Sequence, residues 1–212
     1  MIKVNASDVC NRIGVQTFDE TILHKALQRV PAVSSAGPWI AGGAVRKTIQ
    51  GAPLSSDFDF FFASQEQADA FSTNVRGMGA SLLYDNEKNS TYILPTSVVN
   101  LDDKSFKLPE MKIQAICFRY YASAEEVIDS FDFTISQFAY DGESIFMADF
   151  ALWDLARKRL VPHRISYATS SLRRIIKYAN EGFTVCSGGL SEILNQVVAD
   201  PTVIHSETLY ID

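Results

Sequence analysis

Two adjacent glycines and, a short helix later, two alternating aspartates are the residues of this chain whose types and spacing suit chemistry. They lie in WIAGGAVRKTIQGAPLSSDFDFFF, which runs from Trp39 to Phe62. Gly42 and Gly43 stand where a short apolar strand gives way to a helix. With no side chains there, backbone N–H groups can come close to a ligand, and the helix N-terminus adds partial positive charge, a combination that seats a phosphate. Read alone, a Gly-Gly pair is more often only a tight turn that needs φ > 0. Arg46 and Lys47 follow in the first turns of the helix, where the dipole disfavours cations. An anionic ligand would reverse the sign of that small cost.

Further on, side chains of DFDFFF alternate between the two faces of a strand. Asp57 and Asp59 therefore share one face and Phe58, Phe60 and Phe62 the other. Two carboxylates one strand pitch apart repel each other unless a cation sits between them. Hard oxygen ligands suit Mg²⁺, which takes one or two protein carboxylates and completes its shell with phosphate and water. Each half of the pattern is weak. A glycine turn, a helix and then a paired-aspartate strand make a sharper signal, with phosphates on the glycines and metal on the aspartates.

The elements that must position these residues are legible from periodicity. Thr17 and Glu20 form a capping box ahead of Leu23, Leu27 and Val30, predicting an N-terminal amphipathic helix. PWIA reads as a strand, AVRKTIQ as a helix ended by Gly51, and DFDFFF as a second strand. Gln65 to Arg76 reads as a helix, STYIL and SVVNL as a hairpin around Pro95-Thr96, and MKIQAICF as another strand. Ser123 and Glu126 cap a short helix, and FDFTISQFAYDG can begin as helix or strand. Leu172, Ile175, Ile176 and Ala179 give a helical stripe that ends near Gly182. Strands and helices mix without strict alternation, so the expected class is α+β, a mixed sheet packed by helices with a short helical C-terminal segment. The expected organisation is a core over residues 1–150, with the N-terminal helix, and a helical extension packed on it over residues 151–212.

Composition narrows the function classes. The chain has 212 residues, 47% of them hydrophobic, and a net charge of −6, which argues against a generic nucleic-acid coat. Cys10, Cys117 and Cys186, with His24, His163 and His205, form no zinc spacing and no disulfide framework. No apolar run reaches membrane-spanning length and the N-terminus has no signal-peptide character, so a cytoplasmic protein is expected. Charge is nonetheless uneven. Between Leu155 and Asn180 there is no acidic residue, while Arg157, Lys158, Arg159, Arg164, Arg173, Arg174 and Lys177 all fall there. Such a stretch either faces an anion or is a solvated surface.

GGAVRKTIQGAPLSSDFDFFF resembles the signature of the DNA polymerase β-type nucleotidyltransferase superfamily. The likeness is to bacterial poly(A) polymerases and CCA-adding enzymes, which carry Gly-Gly-x-Val-Arg-Asp, a glycine and Asp-x-Asp. Gly42, Gly43, Val45, Arg46, Gly51, Asp57 and Asp59 fall in register. A second block from Phe131 is similar to that family's Arg-Arg-Asp-Phe-Thr-Ile-Asn-Ala-x-Ala-Tyr, with Asp132, Phe133, Thr134, Ile135, Ala139 and Tyr140 matching. A third, from Leu172, matches through Arg174, Lys177, Tyr178, Gly182 and Phe183. The compact layout is similar to that of small nucleotidyltransferase-like proteins of bacteriophages.

The resemblance implies a polymerase β-like palm. It also implies transfer of a nucleoside monophosphate from an NTP to an acceptor hydroxyl, an RNA or tRNA 3′ end, with Mg²⁺ or Mn²⁺. Asp57 and Asp59 would be catalytic metal ligands, Gly42 and Gly43 would hold triphosphate, and Arg46 would touch phosphate. Asp132 would orient sugar or base, and Arg174 and Lys177 would meet triphosphate or acceptor backbone. There are departures. Lys47 replaces an aspartate, Ser130 and Phe131 replace the paired arginines, Ser136 replaces the asparagine, and the base-reading Glu-Asp-x-x-Arg element has no counterpart. Where the superfamily usually places a third carboxylate, MKIQAICF carries Lys112 and Gln114, with Glu110 on the same face. Those departures leave a rival open, a catalytically degenerate fold that serves as a nucleotide-, RNA- or protein-binding module.

Overall fold

The computed structural model describes residues 1–9, 18–28, 30, 33–101 and 104–205. Its centre is an eight-stranded mixed sheet ordered β1-β10-β9-β2-β3-β8-β5-β4. The strands are β1 (Ile2–Asn5), β2 (Trp39–Ala41), β3 (Phe58–Phe61), β4 (Ser81–Asn86), β5 (Asn89–Leu94), β8 (Met111–Ile116), β9 (Phe138–Tyr140) and β10 (Ser144–Met147). All neighbours run antiparallel except β3 and β8, which are parallel and place Asp59 opposite Gln114. A separate ribbon pairs β6 (Ser97–Leu101) with β7 (Lys104–Leu108).

The period-two pattern of β3 sets both faces of the sheet. Phe58, Phe60 and Phe62 enter the larger core with Ile113 and Ala115 of β8, against α2 (Gly43–Gln50) and α3 (Gln65–Gly77). Phe61 and Ile116 point the other way and pack with Val127 and Ile128 of α4 (Ala124–Asp129). Asp57, Asp59, Lys112 and Gln114 therefore share the α4 side of the sheet, beyond the part that Phe61 and Ile116 fill. Alternation alone puts the four polar side chains together.

Most of the expected elements are present. The N-terminal helix is α1 (Ile22–Leu27), with Leu23, Leu27 and Val30 buried. Thr17 lies outside the described residues, as does Cys10, and the observed cap is Thr21, whose hydroxyl accepts from His24 N–H at 3.3 Å. Helix α2 ends at Gly51 in the left-handed conformation, φ 64°. Ser123 caps α4 by accepting from Glu126 N–H, while the Glu126 carboxylate reaches past it to Ala122 N–H at 2.7 Å. The second block opens as a 3-10 turn, Thr134–Ser136, and continues as β9.

Two expectations are corrected. STYIL and SVVNL do not pair around Pro95-Thr96; β5 lies between β4 and β8, and β6 turns to β7. The C-terminal helical stripe is also rotated from its expected burial. Helix α6 (Ala168–Asn180) forms, but it buries Ala168, Ser171 and Tyr178 while Leu172 and Ile176 are exposed. After it come α7 (Ser187–Ala199) and α8 (Thr202–His205), and before it α5 (Ala151–Ala156). No helix among the described residues is long and apolar enough to cross a membrane.

Cys117 and Cys186 are free thiols in different settings. Burial, aided by Asp69 and Asp85, pushes the Cys117 thiol up to about 11, whereas Cys186 is exposed. Because the thiolate is the nucleophile, iodoacetamide at pH 8 should alkylate Cys186 roughly 10-fold or more faster than Cys117. Equal rates by peptide mapping would contradict this burial.

Candidate nucleotide site

The glycine turn is built by the ladder beneath it. Gly42 N–H donates to Phe138 O at 2.8 Å, continuing the β2–β9 pairing, so this group is committed to the sheet and not to a ligand. Gly42 has φ 79° and ψ −131°, which requires glycine; Gly43, already helical, has no such constraint. Gly43 is needed for space, since a Cβ there would stand 2.8 Å from Ser56 Oγ. The N–H groups available at this end are those of the first turn of α2, which have no intrahelical acceptor.

A Cβ on Gly42 would lie 3.5 Å from the Phe131 ring and 4.0 Å from Asp59 Oδ2. A carboxylate of β3 thus approaches the α2 N-terminus beside Gly42, which is itself buried. Phe131, in place of an arginine, lays its half-buried ring there and stacks edge-on against Phe61 at 5.7 Å.

Asp57 and Asp59 are both half-buried. Asp57 Oδ2 accepts from Gln114 Nε2 at 2.7 Å and pairs with Lys112 Nζ at 2.7 Å. Among the described residues no group of three His, Cys, Asp or Glu side chains is placed to hold a metal ion. Two carboxylates with phosphate and water suffice for one Mg²⁺ or Mn²⁺. The residues present therefore fit a single divalent ion on Asp57 and Asp59. Glu110 is exposed just before β8.

Three of the remaining expected nucleotide residues, Arg46, Asp132 and Arg174, are held by protein partners. Arg46, expected at a phosphate, is 2% exposed. Its Nη1 and Nη2 both donate to Glu181 Oε2 at 3.0 Å, and its guanidinium lies over the rings of Tyr178 and Phe183 at 5.2 and 5.5 Å. It clamps α2 to the end of α6. Asp132, expected at sugar or base, is buried and accepts from Ser171 Oγ and Arg174 Nη1, each at 2.8 Å. The second and third blocks of the sequence thus meet in an ion pair.

Beside that pair, α6 bounds a groove of about 480 Å³ lined by Ser170, Arg173, Arg174, Lys177, Asn180 and Glu181, among others. Glu181 on its rim is the acceptor of Arg46, so the groove adjoins α2. Partial burial lowers the pKa of the Lys47 ammonium; Glu181 opposes this, and Arg46 and Lys177 add to it. Elsewhere the basic stretch is largely satisfied internally. Arg159 pairs with Asp154 at 3.6 Å, Arg164 pairs with Asp129 at 2.9 Å, and Arg157 lies over Trp153 at 3.8 Å.

Sequence reading alone does not single out Ser56, Phe131 or Glu181 as site residues. Ser56 and Glu181 carry no motif, and their places depend on contacts with Gly43 and Arg46.

Residues 5–158 match the sequence model of the Gabija anti-defense 2 family. The chain belongs to that family. It is 24% identical over 166 residues to Gabija anti-defense 2 of Bacillus phage SPbetaL7, a match that covers 77% of this chain and 36% of the phage protein. It is 25% identical over 186 residues to an uncharacterized protein of Acanthamoeba polyphaga mimivirus, covering 81% and 40% of the two. This Gabija anti-defense 2 family protein therefore spans well under half the length of the curated relatives it matches. In structure it is similar to a CCA-adding enzyme in complex with CTP, at TM-score 0.54 and 16% identity, over 87% of this chain and 47% of the other. It is likewise similar to the Thermotoga maritima CCA-adding enzyme complexed with tRNA, at TM-score 0.52 and 15% identity, over 94% and 46%. The α+β nucleotidyltransferase fold expected from the sequence is the fold of this Gabija anti-defense 2 family chain.

Proposed function

We propose that this chain binds an NTP together with one Mg²⁺ or Mn²⁺ and transfers the nucleoside monophosphate to an acceptor hydroxyl on an RNA or tRNA 3′ end, the α–β phosphoanhydride bond breaking to release pyrophosphate. In the cytoplasm of an infected cell, that chemistry would act against the Gabija defence for which the family is named. The observation that carries the reading is the approach of Asp59 Oδ2 to the α2 N-terminus beside Gly42. Partial positive charge and a carboxylate meeting at one point suit a triphosphate with its cation.

Asp57 and Asp59 would hold the divalent ion. When bound, that ion neutralises phosphate charge and makes the acceptor oxygen a better nucleophile. The first-turn N–H groups of α2 would take triphosphate oxygens, with Gly43 letting that turn pack against Ser56. Arg173 and Lys177 would present positive charge from the α6 groove to triphosphate or acceptor backbone. Arg46 and the Asp132–Arg174 pair are assigned a positioning role: they fix α6 against α2 and the 3-10 turn, and so fix the groove that α6 bounds.

Lys112 and Gln114 favour a second reading, a nucleotide- or RNA-binding module without turnover. They occupy the strand face where a third carboxylate is expected, and both donate to Asp57. The two readings separate when NTP binding and turnover are measured apart. With each labelled NTP, Mg²⁺ or Mn²⁺, and total cellular RNA, wild type should bind MgNTP and transfer slowly. Gln114→Asp should raise metal-dependent transfer by about 10-fold, equivalent to about 1.4 kcal/mol of barrier. MgNTP binding with no transfer by either protein would establish the binding module. No MgNTP binding at all would sink the transferase reading and the nucleotide-binding form of the second.

A further inference from the structure

Lys112 stands in an unusual place for a surface lysine. The parallel register Phe58↔Ile113 and Asp59↔Gln114 turns Lys112 and Gln114 toward the same face as the two aspartates. Lys112 Nζ and Gln114 Nε2 both lie 2.7 Å from one atom, Asp57 Oδ2. A carboxylate oxygen offers about two lone-pair directions, so these two donors saturate it. The Asp57 carboxylate thereby carries a counter-charge before any metal arrives.

Resting on the nucleotide-site reading above, we infer that the Lys112 ammonium is a resident cation. It stands in for one of the two metal ions that a polymerase-type carboxylate site holds, and it restricts Asp57 and Asp59 to a single divalent ion. Three features of the geometry carry this. The ammonium is on the metal-facing side of the strand. It is seated on one of the carboxylates that would otherwise be shared by two ions. Gln114 donates to the same oxygen, which keeps that oxygen from a second metal. The Lys112 side chain is 38% exposed, so its charge stays partly hydrated and can persist without a large burial cost. The consequence is a site whose cation count is set by the protein as well as by the metal supply.

The test is to count Mn²⁺ bound to the full chain by electron paramagnetic resonance, at saturating non-hydrolysable ATP analogue. Wild type, Lys112→Met, Lys112→Arg and Asp59→Asn are compared. Wild type should hold one Mn²⁺ per chain. Lys112→Met should either admit a second or bind the first about 10-fold more tightly, because a positive charge beside the site is gone. Lys112→Arg, which keeps the charge, should behave like wild type. Melting temperatures should barely move, since an exposed ion pair contributes little to stability. A wild-type count of two, or a Lys112→Met protein with unchanged count and affinity, overturns the inference while the nucleotide site stands. Mn²⁺ binding that ignores Asp59→Asn, or is absent from all four proteins, removes the nucleotide-site reading itself, and the inference with it.

Discussion

Asparagine at both Asp57 and Asp59 is expected to abolish the Mg²⁺-dependent part of NTP binding while leaving the fold intact. An amide presents one neutral oxygen where a hard cation needs charge, and no third carboxylate compensates among the described residues. The apparent affinity for MgATP should fall about 100-fold, roughly 2.7 kcal/mol. Stability should hardly change, for two reasons. The amide that replaces the Asp57 carboxylate keeps an oxygen that can accept from Gln114 Nε2, and the lost ion pair to Lys112 joins side chains that are 30% and 38% exposed. Exposed pairs of this kind contribute about 0–1 kcal/mol, and relief of carboxylate repulsion offsets part of that. Titration calorimetry with MgATP, and with ATP in excess chelator, separates the metal-dependent part from the rest. The residual metal-free affinity should be no weaker than that of wild type, because the α2 terminus and the α6 groove are untouched and the two carboxylates no longer repel the triphosphate. A double variant that binds MgATP like wild type would show that the aspartates are not metal ligands.

The carboxylate pair is legible in the sequence because strand alternation is a local rule. Once DFDFFF is a strand, Asp57 and Asp59 must share a face, and the phenylalanines on the other face demand a core. The glycine turn is legible for a similar reason, although residue types do not show that Gly42 N–H is spent on Phe138 O. Partnerships between distant residues are what local patterns miss. Arg46 and Glu181 are 135 positions apart, and Asp132 and Arg174 are 42 apart. Residue type advertises both arginines as phosphate ligands; only the fold supplies a carboxylate for each. The hairpin expected at Pro95-Thr96 does not form because a local turn signal loses to pairing of β5 with β8, which lies beyond the whole β6–β7 ribbon. The stripe on α6 is misplaced for a related reason. Periodicity establishes that Leu172 and Ile176 share a face but not that anything covers it, and the buried face is organised by Ser171 and Tyr178, which bond to Asp132 and Ser136.

The clamp between α2 and α6 makes the opposite demand on stability. Arg46→Met should destabilise the chain by about 3 kcal/mol, because it deletes two charge-assisted hydrogen bonds to Glu181 and leaves that carboxylate without its partner. For a chain of this size that corresponds to a fall in Tm of about 6–12 °C. The methionine keeps an apolar stem against Tyr178 and Phe183, so the loss reports the charge and its two hydrogen bonds to Glu181 more than an empty volume. Glu181→Gln distinguishes a clamp from a phosphate contact. If Arg46 positions α6, neutralising its partner leaves a guanidinium that is 2% exposed without a counter-charge, and Tm should again fall by several degrees. If Arg46 served phosphate directly, removing the competing carboxylate should instead tighten NTP binding and spare Tm. Thermal melts and MgATP titrations on both variants, read together, decide between the two. The expected result is that both lose stability and neither gains affinity, since the buried guanidinium is held by Glu181 against two aromatic rings.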